Sequence, residues 1–120
     1  MSSEIDRLVA SIDDNPDLLH GDRTPAVEAL VRHGLAALPV VFPLLEQGEE
    51  HTRLRAQRVL EGITQLWVRE HTPSRPLTQG AAREWQDLWR ENGSYDWRGP
   101  AEARAEAVRR WRDWLRSSGD

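Results

Sequence analysis

The sequence predicts an all-α fold of about six antiparallel helices. Apolar residues recur at spacings of three and four along most of the chain, the period of a helix with one buried face. No segment sustains the two-residue alternation of a strand, and the β-branched pair Val40-Val41 is bracketed by Pro39 and Pro43, which argues against a central strand. Helix-starting and helix-stopping residues also punctuate the chain at helix-length intervals. Layers of helix on helix are the architecture left.

Each element follows in order. Ser2 or Ser3 caps a first helix running to about Asp13, with Ser3 and Asp6 as a variant capping box and Ile5, Leu8, Val9 and Ile12 as its stripe. Asp13 to Thr24, with Asn15-Pro16 and Gly21, reads as a loop that tucks in Leu18 and Leu19. Thr24-Pro25 starts the second helix: the Thr oxygen accepts a free amide, and the missing donor of Pro25 costs nothing at the first helical position. Ala26, Val27, Leu30 and Val31 mark its face, and Gly34 ends it as a left-handed cap. A third helix runs from Ala36 or Ala37 to Gln47. Pro39 fits its first turn, Pro43 should bend or loosen it, and Gly48 stops it.

The fourth helix, about Glu49 to His71, is the longest. Thr52, Ala56, Val59, Leu60, Ile63, Leu66 and Trp67 form its stripe, and Gly62 reads as a point where another helix packs close. Pro73 and Pro76 mark a rigid linker. Thr78 caps a fifth helix from about Gln79 to Glu91, lined by Ala82, Trp85, Leu88 and Trp89 and closed by Asn92-Gly93. A loop from Tyr95 to Gly99 carries Trp97. Pro100 opens the last helix, which runs to about Arg116 with Ala101, Ala105, Val108, Trp111 and Leu115 on one side and Trp114 broadening the stripe. The expectation is one helical domain over 1–120: an N-terminal helix and loop over 1–24, stacked helices over 25–71 and closing helices over 78–116.

Composition narrows the function. There is no Cys among the 120 residues, which excludes disulfides, thiolate chemistry and Cys-based zinc sites and fits a reducing cytosol, so a cytoplasmic location is expected. The start MSSEIDRL is acidic where a signal peptide is basic. The apolar run Leu35 to Leu45 is about half a membrane span, so no membrane partner is expected. All 16 basic residues are Arg. Residues 1–50 hold 3 Arg and 10 acids, residues 51–120 hold 13 Arg and 10 acids, and the formal net charge is −4. Such a balance argues against non-specific nucleic-acid binding, while opposite charge in the two halves is able to orient a partner.

Residues 25–64 resemble a HEAT-repeat unit. In ALPVVFPLLEQGEEHTRLRAQRVLEGI, Ala37, Leu38, Val41, Leu44 and Leu45 match the apolar positions of the first helix, and Arg53, Ala56, Leu60 and Ile63 match the second. The preceding AVEALVRHG is similar to the second helix of a partial repeat. The tract YDWRGPAEARAEAVRRWRDWL resembles the Arg- and Trp-rich helix that follows repeats in some bacterial proteins of this type. Thr52 stands where Val is usual, Pro43 interrupts the first helix, and no second clean copy follows, so a short closed stack is implied rather than a long solenoid. The resemblance implies a scaffold that binds proteins, less often nucleic acid.

No constellation points to chemistry. His20, His33, His51 and His71 lack metal-ligand spacing, the acids show no EF-hand pattern, and the serines lack a nucleophile elbow. No catalytic residue, cofactor or metal is expected. Trp85 with Trp89, and Trp111 with Trp114, share helix faces and read as a terminal core, their indole donors close in sequence to Glu84, Asp87 and Asp113. Arg53 reads as a contact to the preceding turn. The expected function is non-catalytic protein binding, with self-association one form of it, through Arg55, Arg58 and Gln65 on the fourth helix, extended by Trp97. Two alternatives stay open: nucleic-acid binding through Arg patches, and a small enzyme.

Overall fold

The computed structural model describes residues 4–14, 23–71 and 78–118, with side chains from Ala82 onward in the last stretch. Among them the fold is all helical: α1 (Glu4–Ala10), α2 (Pro25–His33), a 3-10 turn (Gly34–Ala37), α3 (Leu38–Gln47), α4 (Glu50–Glu70), α5 (Thr78–Glu91) and α6 (Ala101–Ser118). The expected caps at Ser2 and Ser3, and Leu18, Leu19 and His20, lie outside the described residues.

Local chemistry sets the boundaries. Thr24 is extended, with φ −73° and ψ 163°, and its hydroxyl accepts from Val27 N at 3.2 Å, as an N-cap ahead of Pro25 should. Gly34 takes φ +70° and returns its N–H to the Val31 carbonyl. The chain then tightens into the 3-10 turn before α3, an element that the sequence reading merges into the third helix. Pro43 lies inside α3 on its exposed side; the carbonyl that loses a partner there belongs to Pro39, which is exposed as well. α1 is shorter than expected, ending at Ala10 rather than Asp13. The reason lies downstream: the Ile12 carbonyl accepts from Thr24 Oγ1 at 2.9 Å and the Asp13 carboxylate from Thr52 Oγ1 at 2.7 Å, so both residues are pulled off the helix axis.

α4 is the central rod. It packs on α2, α3 and α5, and α6 packs on α3. The first two pairs stack in register, α1 on α3 and α2 on α4. The third pair is exchanged: α5 lies on α4 and α6 on α3. In an array of stacked pairs a fifth helix would lie on the third, so the order of stacking changes at α5. The core is continuous through the stack: Val27 and Leu30 of α2, Leu38, Val41, Phe42 and Leu45 of α3, Ala56, Val59, Leu60 and Ile63 of α4, and Val108 and Trp111 of α6. Gly62 marks the α2–α4 contact, since a Cβ there would sit 2.7 Å from Val31 Cγ2. That close approach is the one the sequence suggested.

By length and apolarity the continuous run Pro25–Gln47 is the one stretch among the described residues that could cross a membrane. In this fold Val27, Leu30, Leu38, Val41, Phe42 and Leu45 from that run form the core.

Two stripes differ from expectation. In α6, Ala101 and Ala105 are exposed, and the buried face runs through Ala107, Val108 and Trp111. The helix is turned because the Gly93 backbone abuts Ala107, and because Arg104, the polar residue of that face, donates to the carbonyls of Gly99 at 2.7 Å and Glu46 at 3.1 Å. In α5, Ala82 is exposed, while Trp85, Leu88 and Trp89 are half-buried as expected.

Candidate functional site

Two surfaces stand out, and both are built on α4. The first is the outer face of its amino half. Arg53, predicted to reach the preceding turn, donates from Nη1 to Gly48 O at 2.9 Å and from Nε to Trp97 O at 2.9 Å. Trp97 N donates to Gln57 Oε1 at 2.9 Å, and Gln57 Nε2 donates to Glu61 Oε2 at 3.0 Å. Arg58 Nη1 reaches both oxygens of Glu61, at 2.9 and 3.1 Å. A string of polar contacts therefore fixes the 95–99 loop to α4 and connects Trp97 with Arg58. Gln65 lies seven residues beyond Arg58, two turns along the same face, and is half-buried.

The loop is rigid by construction. The buried Tyr95 hydroxyl donates to Leu45 O at 2.7 Å, and burial pushes this phenol well above its ordinary pKa. Asp96 accepts from the Arg98 backbone N–H at 2.9 Å and from its guanidinium, which together hold the carboxyl below its usual range. Arg98 also lies over the Trp97 ring, 5.5 Å from its centroid. Trp97 is half-buried against the core rather than fully exposed, so one part of the indole is structural.

The structure separates Arg55 from this group. Arg55 Nη1 donates to Asp13 Oδ1 at 2.8 Å, and its side chain is only 13% exposed. Thr52 donates to the same carboxylate, a bond that needs the hydroxyl at this position. Burial opposes ionisation of Asp13. The hydrogen bonds from Thr52 and Arg55, with the nearby charges of His51 and Arg55, outweigh it and hold the carboxyl below its usual range. A depressed carboxylate contributes stability that is complete above the unfolded-state pKa and is lost as pH falls through the folded one. The difference in urea midpoint between the wild type and Asp13→Asn is therefore expected to shrink as pH falls below about 4. A gap that stays the same at pH 3 would show that the ion pair contributes nothing.

The second surface surrounds the carboxyl end of α4 and was not legible in the sequence. Trp67 stacks on His71 with centroids 4.0 Å apart, and His71 Nδ1 lies 2.8 Å from Trp67 O. Trp67 meets Trp114 edge-on at 5.0 Å, and the chain of rings continues through Trp111 and Trp89 to Trp85 at spacings of 5.2 to 5.6 Å. Five of the six Trp thus form one aromatic row. Two of their donors find partners other than the acids near them in sequence: Trp85 Nε1 donates to Thr64 Oγ1 at 2.8 Å and Trp89 Nε1 to Tyr95 O at 3.2 Å. A cleft of about 360 Å³ opens on one side of the Trp67–His71 stack, between α4 and α5. A second, of about 290 Å³, opens on the other side, between α4, α2 and the end of α6.

The Arg-rich α6 is partly neutralised along its own length, where three of its arginines pair with its own acids. Glu106 receives Arg109 at 2.6 Å and Arg110 at 2.8 Å, and those two hydrogen bonds bring its pKa down to about 2. Asp113 pairs with Arg116 and, at 3.5 Å, with Arg109. Among the described residues no group of three His, Asp or Glu side chains is placed to hold a metal ion. No family model, no curated protein and no solved structure matches the chain.

Proposed function

We propose that the chain is a non-catalytic protein-interaction module: a short HEAT-like scaffold, closed by an exchanged pair of helices, whose partner docks on the outer face of α4. The observation that carries this reading is the hydrogen-bonded string from Trp97 through Gln57 and Glu61 to Arg58. It fixes the Trp97 backbone and the Arg58 guanidinium on one surface, and Gln65 lies two turns farther along the same helix face. A preformed surface loses little conformational freedom on binding, and Trp and Arg are the residue types that dominate interface energies. The pairing within α6 leaves its arginines less available for phosphate, which favours a protein over a nucleic acid as the partner.

A tagged pull-down of the full chain with mass determination identifies the partner, and its affinity is then compared between wild type and Arg58→Ala/Gln65→Ala. A loss of about tenfold or more is expected, typical of removing an interface hot spot. The thermal midpoint should move by no more than a few degrees. Unchanged affinity would remove the outer face as the docking surface. Arg55 is left intact in this test because its pairing with Asp13 anchors the segment after α1.

A further inference from the structure

We infer that the face around Leu66, along the open edge between α2 and α4, is where a second copy of this chain docks, the two copies meeting antiparallel about a two-fold axis. The inference does not rest on the outer-face reading and concerns different residues.

Leu66 is 43% exposed, the one large hydrophobic among the described residues left open to that degree. It lines the smaller cleft together with Val31, Leu35, Ile63 and Trp67. Two exposed charged residues line the same cleft, Arg32 of α2 and Glu70 of α4. Among the described residues neither makes an ion pair or a side-chain hydrogen bond. His71, the other titratable group there, is turned onto Trp67. Arg69, three residues from Leu66, lies on the flank away from the cleft.

The register of the two helices places these residues in a line. α2 and α4 run parallel: their starts are tied through the segment after α1, where Thr24 donates to Ile12 O and Thr52 to Asp13, and farther along both, Val31 lies against Gly62. One residue on along each helix, Arg32 is level with Ile63. Leu66 is then about 4.5 Å beyond that level, and Glu70 about 6 Å beyond Leu66. The opposite charges flank Leu66 about 10 Å apart along the axis, too far to pair within one chain. The same separation argues against a free amino acid as the occupant, since its two charges are much closer together. A two-fold axis through Leu66 reverses the order in the second copy. Arg32 of each chain then faces Glu70 of the other, at levels that differ by about 1.5 Å, which a guanidinium on its long stem spans. The two Leu66 side chains meet at the centre. The patch is therefore complementary to itself, apolar in the middle and charged at its edge, as an isologous interface requires.

Sedimentation equilibrium of the full chain at low salt tests this. A patch of this size should give a weak dimer, with a dissociation constant on the order of 100 μM. By symmetry each substitution enters the interface twice. Arg32→Glu and Glu70→Arg should each weaken association about tenfold or more, because each sets two like-charged pairs face to face. Arg32→Glu/Glu70→Arg together should return to within about threefold of the wild type, since the exchange restores both pairs. Leu66→Asp should leave a monomer. All three side chains are exposed, so circular dichroism and the urea midpoint should report the same fold throughout. A wild type that stays monomeric up to about five times the expected dissociation constant would overturn the inference. So would a double variant no better than the single ones, or a dimer that Leu66→Asp leaves intact. Loss of the dimer in Arg58→Ala/Gln65→Ala would overturn it as well, by moving the contact to the outer face.

Discussion

Trp111→Ala is expected to cost about 3–5 kcal/mol, enough to leave a small domain largely unfolded at ordinary temperature. Trp111 is fully buried at the junction of α6 with the core, its ring 5.6 Å from that of Trp89 and 5.2 Å from that of Trp114. Truncation leaves a cavity that rigid neighbours cannot close, and it cuts the aromatic row in the middle. The indole N–H contributes nothing to offset this, since Nε1 is buried without an acceptor among the described residues. Trp111→Phe therefore separates the two effects. It keeps a ring in the row and removes a costly unpaired donor, so its loss should be about 1–2 kcal/mol. Urea unfolding of the three proteins, followed by far-ultraviolet circular dichroism, measures both differences. Equal destabilisation by Phe and Ala would show that the N–H, and not the volume, is what the site requires.

How far these relations were visible in the sequence depends on how local their causes are. The helices α2 to α6 announce themselves through period and caps, because Thr24-Pro25, Gly34 and Gly48 act on the backbone within a turn. The Trp85–Trp89 and Trp111–Trp114 pairs follow from spacings of four and three for the same reason. What escapes is whatever depends on a distant partner. α1 stops early because Thr24 and Thr52 claim the carbonyl of Ile12 and the carboxylate of Asp13. The face of α6 is misjudged at Ala101 and Ala105 because Arg104 reads as a solvent residue until the Glu46 carbonyl, in another helix, is there to receive it. The candidate sites divide in the same way. Arg58 and Gln65 share a helix, so their common face is legible, whereas Arg55 is diverted by Asp13, 42 residues away. The larger of the two clefts needs Trp67, Val68 and His71 of α4 beside Glu84, Asp87 and Glu91 of α5. Nothing in the spacing of either helix shows which flanks will face each other.

Thr24 illustrates how one hydroxyl can hold two elements, and its replacement carries the second large effect. The side chain is fully buried; Oγ1 accepts from Val27 N at 3.2 Å and donates to Ile12 O at 2.9 Å. Thr24→Val keeps the volume and removes both bonds. Losing the N-cap costs about 1 kcal/mol, and stranding the buried Ile12 carbonyl adds about 1–3 kcal/mol, so a total near 2–4 kcal/mol is expected. Thr24→Ser keeps the oxygen and deletes a methyl group, for a loss of about 1 kcal/mol. The ordering Val worse than Ser inverts what hydrophobicity alone would give, which makes it diagnostic. Hydrogen exchange on Thr24→Val should further show faster exchange at Val27 and at the residues just after α1, with the α3–α4 interface little changed. If Ser and Val were equally destabilising, the hydroxyl would not be the tie. The attachment of α1 would then fall to Asp13, Thr52 and Arg55, and the acid sensitivity of that cluster would govern the whole amino-terminal layer.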